Sequence, residues 1–220
     1  MEHEYVTDKL WFTSDHHVFH KRIQELDDEP EFEDRTAWLI EKWNSRVQPG
    51  DLVWHLGDFS FGGKTKTREV FAQLNGRINV LSNHFHHDSR WLPRQPNMDL
   101  VYQYGPLDWE SASGQQIVIY PPLVAFEIPQ EVLPSGIRND DPTFPLVIIL
   151  CHYPFRSWDR RHYGSWHLYG HTHQKSNIVK KHRHSLYVGM QAFDYKPVSF
   201  ARVSTSMIHR GWYPGWTQYD

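Results

Sequence analysis

Cysteine is nearly absent from this chain of 220 residues. Cys151 stands alone, so no intramolecular disulfide forms, and its place in an apolar run makes it a small packed side chain before a reactive thiol. Long apolar runs are missing as well. None reaches the roughly 18 residues of a spanning helix, and MEHEYVTDKL has neither the basic nor the apolar stretch of a leader. A soluble, cytoplasmic protein with no membrane association and no evident protein partner is therefore expected. Neither sign of charge is in excess: a net −3 and a pI near 6.6 exert no global pull on nucleic acid or anionic lipid, so any anion binding is local. No repeat, heptad, low-complexity tract or linker divides the chain. One domain over residues 1–220 is expected, with a less regular segment at about 85–145.

Histidine, by contrast, is plentiful, with 16 beside 26 acids, which makes metal chemistry the first thing to test. The pattern alternates between strands and helices. Leu10–Thr13 reads as a short strand, Asp34 as the cap of a helix to about Val47, and LVWHLGD as a second strand that ends at Asp58. Thr67–Leu74 reads as a helix with Gly76 as its C′ residue, and Ile78–Leu81 as a third strand that delivers Asn83 and His84. LVYQY, QQIVIY and VAFEI are isolated β-rich runs. LVIILC is apolar throughout, as a strand buried on both faces must be, and it ends at His152. WHLYGHTH and LYVGM supply two further strands.

Asp15 with His17, Asp58, Asn83 with His84, His152, and His171 with His173 all fall at or just past a strand end. In open α/β folds ligands bind at that edge. Within the pairs, i and i+2 project to one side of an extended segment, so Asp15 and His17 aim together while His16 points away, toward substrate or solvent. Taken singly, each has an ordinary structural explanation: a hydrogen-bonded histidine, or a turn role for Asp58 and Asn83. Taken together they do not, because several buried acids and imidazoles without an ion leave unpaired charge costing several kcal/mol per group.

The order of these motifs, D-x-H at Asp15–His17, Gly57-Asp58, Asn83-His84, His152 and GHTH at Gly170–His173, resembles the calcineurin-like metallophosphoesterases, and small bacterial and phage members most. The resemblance spans about residues 10–84 and 146–200. It implies an α/β fold of two facing mixed sheets flanked by helices, an αββα sandwich around a dinuclear metal centre. Asp15, His17 and His173 would hold one ion and Asn83, His152 and His171 the other, with Asp58 bridging. His84 would stay off the metals and act as proton donor. The implied activity is hydrolysis of a phosphoester, a diester before a monoester, with water activated by two divalent transition-metal ions. Mn is the preferred ion, with Fe, Zn, Co or Ni also compatible with the donor set. The substrate class spans nucleotides, nucleic acids and small phosphoesters.

Two alternatives stand beside this reading. The family block usually reads G-N-H-D or G-N-H-E, whereas this chain has Ser82-Asn83-His84-Phe85, which favours a catalytically weak protein that binds a phosphorylated ligand or partner; Asp88 is a candidate replacement for the missing acid. A purely structural metal module is the third, disfavoured by the lack of thiolates. Around the site, His20 is expected to start the next helix and orient a ligand, and His55 to be an interior residue; His162 and His167 are left open. Arg138, Arg156, Arg160 and Arg161 are candidate phosphate contacts. Lys180–His184 reads as a solvated hairpin. Most of the 10 tryptophans read as core, with Trp158 and Trp212 set in polar surroundings.

Overall fold

The structure, a computed structural model, describes residues 7–27, 29, 33–82, 87–92, 107–139, 141, 143–175 and 184–211. Among the described residues, ten strands form two mixed sheets. β1 (Leu10–Thr13), β2 (Leu52–His55), β3 (Arg77–Leu81) and β5 (Gln116–Tyr120) run parallel, with β10 (Val198–Ser199) and β4 (Leu107–Glu110) antiparallel at the two edges, in the order β10-β1-β2-β3-β5-β4. The second sheet has the order β6 (Leu123–Ile128), β7 (Leu146–Cys151), β8 (Trp166–Tyr169), β9 (Ser185–Tyr187). There β7, β8 and β9 are parallel and β6 is antiparallel.

Period-two alternation assigns the faces. Leu10, Phe12, Trp54 and Leu81 of the first sheet meet Ile148, Leu150, Trp166, Leu168 and Leu186 of the second in one buried cluster between the sheets. Each such side chain contributes about 1.5–3 kcal/mol of burial. The intervening Val53, Ile78, Val80 and Ile117 face outward, against Leu39 and Trp43 of α2 (Arg35–Asn44) and Val70 and Phe71 of α3 (Lys64–Phe71). On the far side of the second sheet Val147 and Ile149 pack on Trp158. The chain is thus α/β, with two mixed sheets packed face to face.

Several expectations are met with shifted boundaries. Asp34 caps α2 by accepting from the Ala37 N–H at 3.0 Å; the helix ends at Asn44, and the Val47 N–H still reaches the Trp43 carbonyl. The α3 helix begins at Lys64 and is capped at Ala72, so Gly76 is not its C′ residue. Gly76 instead turns the chain into β3 with φ +92°, and a Cβ there would come within 2.8 Å of Val47 Cγ1. His20 precedes rather than starts α1 (Ile23–Leu26). Elements beyond the expectation include β4, β10 and the C-terminal helix α4 (Phe200–His209), which is capped by the Ser199 hydroxyl and packed through Phe200, Val203 and Met207. The LVYQY run expected at 100–104 lies outside the described residues. No helix among those described is long and apolar enough to cross a membrane.

Candidate metal centre

The loops that follow β1 and β2 are stitched together, with Asp15 N–H donating to Gly57 O, His17 N–H to Asp58 O and Val18 N–H to Phe59 O. The loops after β7 and β8 are joined by Gly170 N–H to His152 O. The sheets meet at Asp15, whose two carboxylate oxygens accept from the His171 N–H at 3.0 and 3.1 Å. Gly170 permits this approach: a Cβ there would lie 2.5 Å from Ser14 Oγ and 3.0 Å from Asp15 Oδ2. These turns are tight enough that Asp15, His17, Asp58, His171 and His173 all take left-handed φ, at 61°, 46°, 56°, 71° and 46°. Such backbone is uncommon outside glycine, costs of order 1–3 kcal/mol per residue, and gathers at sites where geometry is imposed for function.

Among the described residues three groups of ligand-type atoms result, each with its atoms within 4.8 Å of one another: Asp15, His17 and His173; His17, Asp58 and His87; Asp58, His152 and His171. Of the residues picked out by sequence, Asp15, His17, Asp58, His152, His171 and His173 are brought together. Asn83 and His84 lie outside the described residues. The spacings suit an ion. Two ligand atoms at about 2.1 Å from one metal are about 3.0 Å apart at a right angle and about 4.2 Å apart when opposite. His17 Nε2 and His173 Nε2 are 3.0 Å apart, His173 Nε2 and Asp15 Oδ1 3.8 Å, His152 Nε2 and Asp58 Oδ2 3.3 Å, and His17 Nε2 and Asp58 Oδ2 4.0 Å.

Surrounding groups aim the rings. His173 Nδ1 lies 2.8 Å from Asp27, which also accepts from Gln191 Nε2 at 2.9 Å. His152 Nδ1 lies 3.1 Å from the Leu56 carbonyl. An acceptor at Nδ1 places that proton outward and leaves the Nε2 lone pair facing the centre. The facing Nε2 atoms of His17 and His173 then need a proton or a cation between them. Asp15 is held by Ser14 Oγ at 2.6 Å and by Tyr187 Oη at 3.2 Å. Burial, with the negative Asp15 beside it, raises the Tyr187 phenol well above its ordinary range, so the hydroxyl remains a donor.

Charge makes the same demand. Burial raises the Asp15 carboxyl, against the pull of His152 and Ser14. Burial also acts to raise Asp58, but His152, His17 and His87 outweigh it and hold Asp58 at about 2. Burial lowers His17 to about 2, so it stays neutral. For His152 and His173 burial is outweighed by the facing carboxylates, and both are raised. Acids and imidazoles packed this closely fit a divalent cation pair, which would neutralise the carboxylates while taking neutral rings.

Other expectations are corrected. His16 faces neither substrate nor solvent: it is buried with Nδ1 3.0 Å from His55 Nε2 and its edge on Trp43, and burial lowers it to about 3. The place of Asp88 relative to His84 lies outside the described residues, but its own partners are clear. It is wholly buried behind Asp58, accepting from Phe59 and Ser60 N–H at 2.9 Å and from Trp91 Nε1 at 2.6 Å, and so fixes the loop that presents Asp58. Arg138 staples its own loop through the Leu133 and Glu131 carbonyls, Arg160 pairs with Glu127, Arg161 covers Trp158, and Arg156 is exposed. Trp158 is buried on Ser165, His167 is a buried strand residue and His162 is exposed, while His55 is interior as expected. Trp212 and 180–183 lie outside the described residues; His184 is buried. Sequence reasoning passed over Asp27, Gln191, Tyr187, His87 and Arg35, whose guanidinium grips Glu29 at 2.6 and 2.9 Å and the His16 carbonyl at 2.9 Å.

No family model matches the chain. It is similar to the Gene 66 protein of Mycobacterium phage D29, 26% identical over 92% of this chain and 98% of the relative, and to the Gene 66 protein of Mycobacterium phage L5, 27% identical over 83% and 86%. The Methanocaldococcus jannaschii protein called Uncharacterized protein MJ1445 is 23% identical over 92% and 93%. Among solved structures, the crystal structure of the Protein of Unknown Function AQ665 from Aquifex aeolicus matches with a TM-score of 0.54 at 20% identity, over 89% of this chain and 97% of that one, a likeness of fold.

Proposed function

We propose that this chain is a dinuclear metal-dependent phosphoesterase of the calcineurin-like kind, acting in the cytoplasm on phosphodiesters in preference to monoesters. The observation that carries the reading is the position of Asp58, which belongs at once to a group with His17 and to a group with His152 and His171. One carboxylate adjoining two imidazole-lined positions is what a bridged ion pair needs. Asp15, His17 and His173 would hold one ion, and His152, His171 and Asn83 the other. Bound there, two divalent ions would supply an activated water and polarise a phosphoryl oxygen. The nitrogen-rich donors favour Mn²⁺ or another transition metal over Mg²⁺, which prefers oxygen ligands.

The chain's own residues divide the remaining work. Asp15 and Asp58 are the only carboxylates in the three groups, and the neutral imidazoles cancel none of the ions' charge, so the site stays attractive to phosphate. Asp27 and the Leu56 carbonyl keep His173 and His152 in the receptive tautomer. His84 is assigned the proton delivered to the leaving alkoxide, a step that diesters of poor leaving groups require.

The test is turnover of matched aryl mono- and diesters by the Mn²⁺-loaded chain. A higher kcat/KM for the diester, loss of turnover on chelation, and a His84→Gln variant slowed roughly 10²–10⁴-fold on alkyl but far less on nitrophenyl leaving groups are expected. Full turnover after verified metal removal would contradict the reading, and a monoester preference would reverse the choice of ester. Metal binding and phosphate-ligand binding without turnover would favour the ligand-binding alternative.

A further inference from the structure

We infer that His87 is a further imidazole of the centre, ligating the same ion as His17 and the shared Asp58; the inference rests on the dinuclear reading above. His87 belongs to none of the sequence blocks that first pointed to the site. Its Nε2 is 3.7 Å from Asp58 Oδ2, inside the interval of about 3.0–4.2 Å expected for two ligands on one metal, and it groups with His17 and Asp58. The ring is held in place rather than loose at the surface. It stacks on Phe61 at 4.1 Å with 27° between planes and meets His17 edge-on at 5.1 Å, while Phe61 is braced in turn by His20 at 4.2 Å.

The backbone is anchored as firmly. His87 opens the short 3₁₀ turn His87–Arg90, and the next residue, Asp88, is buried and tied to the Phe59 and Ser60 N–H groups directly after Asp58. One loop therefore fixes both the shared carboxylate and the imidazole beside it. Such coupling suits ligands of one ion, because neither can move without the other. With His87 added, the imidazoles of His17 and His87 accompany Asp58 in one group and those of His152 and the exposed His171 accompany it in another, and the group with the exposed ring is the one a substrate oxygen reaches.

The experiment uses the full chain, stripped of metal and titrated with Co²⁺, whose visible bands report coordination, in wild type, His87→Gln, His87→Asp and the exposed control His162→Gln. Expected is a weakening of one of two Co²⁺ sites in His87→Gln by at least the roughly 10–100-fold that loss of even an outer partner costs. The bands should change as a solvent ligand replaces the ring, His87→Asp should recover part of the affinity, and His162→Gln should match wild type. Two Co²⁺ bound by His87→Gln with wild-type constants and unchanged bands would overturn the inference and leave the dinuclear reading standing. No Co²⁺ bound by wild type would overturn both.

Discussion

His173 Nδ1 lies 2.8 Å from each carboxylate oxygen of Asp27, across 146 residues of chain. The imidazole has its proton held from behind, and Gln191 holds the carboxylate in turn. Asp27→Ala should weaken one metal site roughly 10–100-fold, as loss of such partners generally does, with Asp27→Asn milder because it keeps an acceptor. Calorimetric titration with Mn²⁺ measures this. Unchanged constants in Asp27→Ala would show that His173 needs no orienting partner.

Gly170 lets the loops of the two sheets approach closely at Ser14 and Asp15. Its replacement by Ala puts a Cβ 2.5 Å from Ser14 Oγ and 2.9 Å from Ser14 Cβ. Overpacking of this kind costs about 1–3 kcal/mol, and here the strain falls on the residue that holds Asp15. Gly170→Ala should lower the denaturation midpoint and weaken metal binding together. A variant with full stability and full affinity would mean that the loops part freely.

Asp88 makes a pH prediction. Burial pushes its carboxyl up to about 6, opposed by the Ser60 N–H and reinforced by the charge of Asp58. A folded pKa above the unfolded 3.8 gives stability that is full below the unfolded value and is lost as pH rises through the folded one. Metal-free wild type should therefore lose up to about 3 kcal/mol relative to Asp88→Asn between about pH 4 and 7, at about 1.36 kcal/mol per pH unit. Denaturant unfolding at several pH values checks it; a difference that stays constant with pH contradicts it.

Strand ends were the legible part of this sequence, because apolar runs such as LVIILC stop abruptly at a polar residue and the alternation of Val53, Trp54 and His55 marks two faces. That alone brings Asp15, Asp58, His152, His171 and His173 to one edge. The supporting residues were not legible. Asp27, Gln191 and Tyr187 act across 146 to 176 positions, and nothing local distinguishes them from surface or core residues of the same type. His16 was misplaced because an i, i+2 rule for extended chain was carried into a loop whose neighbours Asp15 and His17 are left-handed. The α4 helix did carry a signal, with Phe200, Val203 and Met207 at helical spacing behind Ser199. Its short, polar interior of Ser and Thr obscured it.

Asp58 should matter more than any single terminal ligand. As the carboxylate common to two groups, its change to Asn should reduce binding at both metal positions, whereas His17→Asn should affect chiefly one. Stepwise Mn²⁺ constants for the two variants give the ranking. Two normal sites in Asp58→Asn would remove it from the bridging role.

The most direct measurement is a count of ions. Metal-stripped full-length protein is titrated with Mn²⁺ while the electron paramagnetic resonance signal of free Mn²⁺ is followed. The account predicts that the free signal stays suppressed until about two ions per chain are taken up, as a two-metal site requires. A free signal that rises in proportion from the first addition would contradict it.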